Sequence, residues 1–287
     1  MNRLDKSCSD VAQFWDSSVP GIEFFSARLF RHSFTKHVHE TSTVGINDGG
    51  QGCFSYQGEA RCAYPGSFNL INPDEAHTGQ ASSSEGWIYR NLYITVPLIE
   101  QVLEQIEWQG QGLPYFVAPV VGDQSLQSTF RQLFDVLETP TSLLEQQSLL
   151  LEFFTQLFAK HAEPHYSPRL PKSETQAIAQ VRTYLEAHYS QAITIERLAT
   201  LVGLNPDYLI RSFHQQVGLP PHRYQQYCQL RQAKQSLRTA TPLCEIATDR
   251  GFYDQSHLNH HFKRVFGVTP GQYRQSVLSK TVGLYEP

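Results

Sequence analysis

Several things are scarce in this 287-residue chain, and each scarcity removes a class of protein. Its five cysteines, Cys8, Cys53, Cys62, Cys228 and Cys244, are odd in number and nowhere spaced as CxxC, which argues against a disulfide framework or a zinc ribbon. No window approaches 18 uninterrupted apolar residues, so no membrane span is expected. The first 30 residues carry Asp5, Asp10, Asp16 and Glu23 where a secretory leader would place basic residues and a continuous apolar run. The expectation is a cytoplasmic protein with no membrane partner. Charged residues make up 17% of the chain and hydrophobic ones 40%, the balance of an ordered globular protein. At this length two domains are expected, each with a sizeable core.

The net charge of −4 hides an asymmetry. Residues 1–173 hold 11 basic and 19 acidic side chains, a balance of −8, whereas residues 174–278 hold 11 and 7, a balance of +4. Positive charge is concentrated in the second part, as contact with phosphates requires. A surplus of four is modest and also suits an ordinary solvated surface, so the motifs must decide.

From Gly21 to Thr95 the apolar runs are short and punctuated by Gly or Pro: 22–29, 43–46, 53–56, 68–71 and 87–94. Such strands and turns point to a small antiparallel barrel or sandwich. Helices follow at 96–105, started near Pro97, and at 125–137, where Leu126, Phe130, Leu133, Phe134 and Leu137 share a face. After Thr139-Pro140-Thr141-Ser142, residues 143–160 are apolar on several faces, which demands more than one packing partner. The surplus Leu and Phe of these two helices fit either packing against the barrel or a dimer surface. Residues 162–173, with three prolines and no apolar periodicity, are expected to link residues 1–161 to a helical domain at 174–278.

That second domain contains one pattern twice. Leu198-Ala199, Gly203-Leu204, Leu209, Phe213, Gly218, Pro221 and Tyr224 recur as Ile246-Ala247, Gly251-Phe252, Leu258, Phe262, Gly267, Pro270 and Tyr273. The offset is 48 for the first two pairs and 49 afterwards, so one residue is inserted between Gly251-Phe252 and Leu258. Each copy reads as a short helix, a glycine turn and a second helix whose Leu and Phe lie at i and i+4, a helix-turn-helix. The second helix of such a motif enters the DNA major groove. In the first copy it spans 206–217 with Asn205 as N-cap, leaving Asp207, Ile210, Arg211, His214 and Gln215 outward and Tyr208 at the edge. In the second it spans 255–266 with Asp254 as cap and Leu258, Phe262 and Val265 inward. Gln255, Ser256, His257, Asn259, His260 and Lys263 then face outward. Arg reads guanine, Asn or Gln reads adenine, and Lys263 and Arg264 suit phosphates. Either helix alone could be a solvated surface, but repetition of both buried and turn positions favours a bipartite reader.

The run Ile246-Ala247, Gly251-Phe252, Ser256, Phe262-Lys263-Arg264, Gly267, Thr269-Pro270, Tyr273-Arg274 resembles the C-terminal signature of the AraC/XylS family of bacterial transcription regulators, over Ala177 to Arg274. The resemblance implies two helix-turn-helix subdomains joined by a long helix, binding double-stranded promoter DNA as a homodimer and commonly activating through RNA polymerase. It places base-reading residues at Asp207, Ile210 and Arg211, and at Gln255, Ser256, His257, Asn259 and His260. Asp207 is repelled by phosphate and Ile210 can touch only a thymine methyl, so the second helix is expected to be the richer reader.

Residues 34–79 resemble the cupin-like effector domain of such regulators, through His37-Val38-His39, Gly49-Gly50-Gln51-Gly52, Gly58, Pro65-Gly66, Asn72-Pro73 and His77. The fold class implied is α+β, a cupin-like β-barrel with a helical hairpin, followed by an all-α domain. Metal-binding cupins add a Glu after the HisxHis pair, but Thr43 and Val44 stand there, and Asn69 stands where another His is usual. No metal and no cofactor is therefore expected. His37, His39 and His77, with Tyr56, Tyr64, Trp87 and Tyr89, are assigned to a pocket for a small-molecule effector. The alternatives are a ligand-free or metal-sensing barrel, and a cupin enzyme with a DNA-binding module. Against the enzyme stands the lack of any nucleophile and base paired by motif.

Overall fold

Short runs rich in Phe, Tyr, Ile and Val become antiparallel strands, since such side chains pack well on a pleated surface. The computed structural model describes residues 9–138, 142–163 and 176–282. Its strands are β1 (Val11–Asp16), β2 (Ile22–Leu29), β3 (Ser33–His37), β4 (Ser42–Gly50), β5 (Gly52–Tyr56), β6 (Glu59–Ala63), β7 (Ser67–Ile71), β8 (His77–Ala81) and β9 (Trp87–Ile94). After α1 (Val96–Gln105) come β10 (Val120–Gly122), α2 (Gln124–Glu138) and α3 (Leu143–His161). The strands form a six-stranded sheet, β1-β2-β9-β4-β7-β10, and a four-stranded sheet, β3-β8-β5-β6.

Register gives the larger sheet two unlike faces. Phe24 lies opposite Leu92 and Leu92 opposite Val44, while Phe25 lies opposite Asn91 and Asn91 opposite Gly45. Successive side chains point to opposite sides. The face of Phe24, Val44, Leu92, Phe68 and Leu70 joins α1, α2 and α3 in one apolar core. Phe134 of α2 packs edge-on to Phe24 at 4.8 Å, and Phe130 to Phe68 at 5.5 Å. The Leu and Phe stripes of α2 and α3 are thus core, whereas Leu143 and Leu144 at the start of α3 stay 63% and 75% exposed. The other face is polar and aromatic, with Thr43, Asn47, Asn69 and Asn91 all buried.

Cysteine usage differs from expectation at one place: Cys53 and Cys62 form a disulfide. They stand directly opposite each other in the β5–β6 ladder, their Cα atoms 4.1 Å apart. Spacing along the chain carries no trace of this, because strand register creates the proximity. Cys228 and Cys244 are free thiols, and Cys8 lies outside the described residues.

The C-terminal helices are α4 (Gln176–Ala187), α5 (Ile195–Val202), α6 (Pro206–Val217), α7 (Pro221–Ser236), α8 (Leu243–Asp249), α9 (Gln255–Phe266) and α10 (Pro270–Val282). They belong to the second of two structural units; most of the expected linker, residues 164–173, and the expected domain start at 174 lie outside the described residues. Helix α7 touches α4, α6, α8 and α9, and so joins the two copies of the motif.

The repeat in sequence is a repeat in geometry. Leu198 and Ala199 are buried in α5 as Ile246 and Ala247 are in α8. The backbone N–H of Leu204 donates to Ala199 O at 3.0 Å, and that of Phe252 to Ala247 O at 2.9 Å. Phe213 meets Tyr224 edge-on at 5.7 Å, and Phe262 meets Tyr273 at 5.9 Å. Gly218 and Gly267 end the second helices at φ 80° and 76°, a left-handed conformation that side-chain-bearing residues resist.

Candidate nucleic-acid interface and polar interior

Both second helices start on a side-chain cap. Asn205 Oδ1 accepts the N–H of Asp207 at 2.9 Å, and Asp254 Oδ1 accepts that of His257 at 2.7 Å. Each cap satisfies a donor that the helix start leaves open and fixes the angle at which the outward residues are presented. Pro206 occupies the first turn of α6, where its missing N–H is no loss.

In α6, Leu209 and Phe213 are fully buried, while Asp207, Ile210, Arg211, His214 and Gln215 are exposed along one arc. In α9, Leu258 and Phe262 are buried, and Gln255, Ser256, His257, His260, Lys263 and Arg264 are exposed. Two expected positions differ. Asn259 is half-buried, because it sits on the flank of the helix directly after buried Leu258, and Val265 is half-buried rather than part of the core. His257 also supports the local structure. Its Nδ1 accepts the N–H of Tyr253 at 3.3 Å, and its ring lies edge-on to His261 at 4.6 Å. Burial and the neighbouring His257 and His260 push His261 down to about 4, so it stays neutral at pH 7.

The inserted residue of the second copy is Tyr253. Gly203, Leu204 and the cap Asn205 are consecutive, whereas Tyr253 stands between Phe252 and the cap Asp254. A hydrophobic residue just before a cap often packs on the fourth residue of the helix, here Leu258. Tyr253 does not, and is 88% exposed. An aromatic this exposed at the mouth of α9 extends the presented surface, and only the odd offset of the repeat pointed to it in the sequence.

In the N-terminal unit, the polar face of the larger sheet forms a hydrogen-bonded interior. Asn47 Oδ1 accepts Trp87 Nε1–H at 2.7 Å, and Asn47 Nδ2 donates to Ser67 O at 2.9 Å and Asn69 Oδ1 at 3.0 Å. The Trp87 ring lies against Gly52, where a Cβ would come within 2.0 Å of it, and 4.3 Å from the Tyr89 ring. Tyr56, buried, receives Asn72 Nδ2–H at 2.8 Å, and burial together with the Glu75 carboxylate holds its hydroxyl well above the usual range. Asn91 Oδ1 is buried and accepts no hydrogen bond among the described residues. Tyr64, assigned to the same pocket from sequence, is 50% exposed. It follows the last residue of β6, in the turn that leads into β7, where strand alternation no longer dictates its direction.

The three expected histidines come together: their ligating nitrogens lie within 4.8 Å of one another. In each, Nδ1 faces a carbonyl oxygen, which can only accept: Thr35 O at 2.7 Å for His37, Thr41 O at 2.8 Å for His39 and Glu75 O at 2.9 Å for His77. Nδ1 therefore carries the proton and Nε2 the lone pair. The Thr43 hydroxyl lies 3.3 Å from His39 Nε2. Burial, helped by His39, pushes His77 down to about 3, so its ring is neutral at pH 7.

Comparison with known proteins accounts for both parts. Residues 19–154 match the family model of the AraC-like ligand binding domain, and residues 198–276 match that of a helix-turn-helix domain. The uncharacterized HTH-type transcriptional regulator YbfI of Bacillus subtilis (strain 168) is 27% identical over 83% of this chain and 86% of its own length. The HTH-type transcriptional activator RhaS of Pectobacterium carotovorum subsp. carotovorum (strain PC1) is 22% identical over 91% of this chain and 98% of its own. Among solved structures, unsaturated fatty acid bound ToxT of Vibrio cholerae strain SCE256 shares the fold with a TM-score of 0.57 at 12% identity. It spans 97% of this chain and 99% of that one. No helix among the described residues is long and apolar enough to cross a membrane. With a ligand-binding domain of this kind ahead of a duplicated helix-turn-helix, the chain belongs to the AraC family of DNA-binding transcription regulators.

Proposed function

We propose that α6 and α9 read two successive major grooves of one promoter, and that a small molecule held in the polar interior of the N-terminal unit controls that binding. The observation that carries this reading is the repeated packing of Phe213 on Tyr224 and Phe262 on Tyr273, which rebuilds the same helix-presenting frame twice. Arg211, Gln215, Gln255, His260 and Tyr253 contact bases in this reading, Ser256 and His257 support them, and Lys263 and Arg264 hold phosphates. Asp207, Ile210, His214 and half-buried Asn259 complete the two arcs. The proposed domain limits are 1–161 and 174–278, with the connection at 162–173.

The effector is proposed to be polar. The buried Asn91 Oδ1, on the same face as the Asn47–Asn69–Trp87 network, accepts no hydrogen bond among the described residues, and a polar ligand would supply one. Activation through RNA polymerase, as a cytoplasmic homodimer and without an enzymatic step, follows the regulators it resembles; exposed Leu143 and Leu144 supply apolar surface for the second copy. Thermal-shift screening of small metabolites tests the effector. A true ligand at a hundredfold excess over its dissociation constant adds about 2.7 kcal/mol and raises the unfolding midpoint by about 5 °C or more. Trp87→Ala should remove that shift, and a shift that survives it places the ligand elsewhere.

A second reading, a divalent-metal sensor, rests on the convergence of His37, His39 and His77 with their tautomers already fixed. A stoichiometric Zn2+ ion in purified protein, lost in His77→Ala, would select it over the organic effector.

A further inference from the structure

The Cys53–Cys62 bridge is chemically reachable, and the register of its hairpin is set without it. Along β5, Phe54 and Tyr56 point inward and are buried, so Cys53 and Ser55 lie on the outer face. Cys62 is exposed on β6, the edge strand of the smaller sheet. The hairpin does not depend on the bridge for its register. Gln57 and Gly58 form its two-residue turn with φ 52° and 82°, and five consecutive residue pairs from Gly52↔Ala63 to Tyr56↔Glu59 hold the ladder. A promoter-binding protein works beside the chromosome, where reductants keep most thiols reduced and disulfides are usually transient and redox-sensing.

The bridge also touches the wall of the polar interior. Cys53 follows Gly52, the residue on which the Trp87 ring lies, and pairs with Gln80 of β8. At the other end of the same strand, Tyr56 pairs with His77. A change in how tightly β6 holds β5 therefore acts on residues that frame the interior.

We propose that Cys53 and Cys62 are a reversible oxidation site, closed by hydroperoxides and opened by small thiols, whose state sets the stability of the β5–β8 wall. In closing, a thiolate attacks the peroxide oxygen, giving a sulfenic acid and releasing alcohol, or water from hydrogen peroxide; the second thiol then displaces water and forms the S–S bond. The two cysteines lose two electrons and two protons, and the hydroperoxide is reduced to alcohol and water. In opening, an external thiolate attacks the exposed Cys62 sulfur and releases Cys53 as the thiolate. A second external thiol then displaces Cys62, leaving two protein thiols and one external disulfide. Among the described residues the other thiols are poor substitutes: burial pushes Cys228 up to about 12, and Cys244 lies apart on α8.

The test uses the full chain, equilibrated in millimolar glutathione, then treated with hydrogen peroxide, with alkylation by iodoacetamide and peptide mass spectrometry at each stage. Both cysteines should alkylate in glutathione, two alkylations should be lost after peroxide, and fresh glutathione should restore them. Hydrogen exchange over residues 52–56 and 77–81 should be roughly tenfold faster with the bridge open, with α6 and α9 unchanged. Cys62→Ser should show the fast exchange in both conditions. A bridge that persists in glutathione, thiols that peroxide does not rejoin, or exchange that is equal in the two states would each overturn the proposal. None of these outcomes depends on which molecule the interior binds.

Discussion

Replacing Arg211 and His260 together with alanine is expected to weaken binding to the chain's own promoter by about 2–6 kcal/mol while leaving binding to unrelated DNA almost unchanged. Arg211 is exposed on α6 and His260 on α9, and in the proposed reading each substitution removes one base contact worth about 1–3 kcal/mol. They stand on separate helices without shared partners, so the two losses should add. Neither change touches a buried residue, so the fold should survive. The control is Lys263→Ala, which removes a phosphate contact: it should weaken specific and unspecific binding alike and lower the salt dependence by roughly one counterion. Binding titrations at several salt concentrations separate the two behaviours. Undiminished selectivity in the Arg211 and His260 variant would show that other residues read the bases.

Phe262→Ala should cost the C-terminal unit about 3–5 kcal/mol, the range for truncating a buried aromatic. Phe262 is fully buried, with Phe266 at 4.5 Å and Tyr273 at 5.9 Å between ring centres, and its loss leaves a cavity that these neighbours cannot close without shifting α9 against α10. Typical domains hold only about 5–15 kcal/mol in all, so α9 should lose its fixed presentation and the variant should bind DNA poorly at ambient temperature. Denaturant unfolding followed by circular dichroism measures the loss. Phe213→Ala is the matching change in the first copy, and similar costs for the two would show that the repeated frames are energetically as well as geometrically alike.

Much of the fold was legible because burial imposes a period. The runs at 22–29 and 87–94 and the helix at 96–105 coincide with β2, β9 and α1, since one apolar face marks each of them. The duplicated motif was legible for a stronger reason: Leu209 and Phe213 must be buried, and Gly218 must adopt positive φ, and the same demands recur at Leu258, Phe262 and Gly267. What escaped detection has no period to show. Strand β6, with four of its five residues exposed, and polar β8, His77–Ala81, are strands because they pair with β5 and not because of their own side chains. The Cys53–Cys62 bridge was hidden for the same reason, as was the outward turn of Tyr64. Convergence of His37, His39 and His77 is legible in the sequence, yet the tautomers that make it chemically pointed come from carbonyl positions that only coordinates supply.

In the proposed reading one chain engages DNA through two separate helices. Footprinting of the full chain on the promoter of a neighbouring gene, combined with methylation interference, tests it most directly. Two clusters of major-groove protection should appear on one face of the duplex, centred about 10 base pairs apart for each bound chain. Alanine at Arg211 should erase one cluster and alanine at His260 the other. A single cluster per chain, or two that disappear together in either variant, would contradict it.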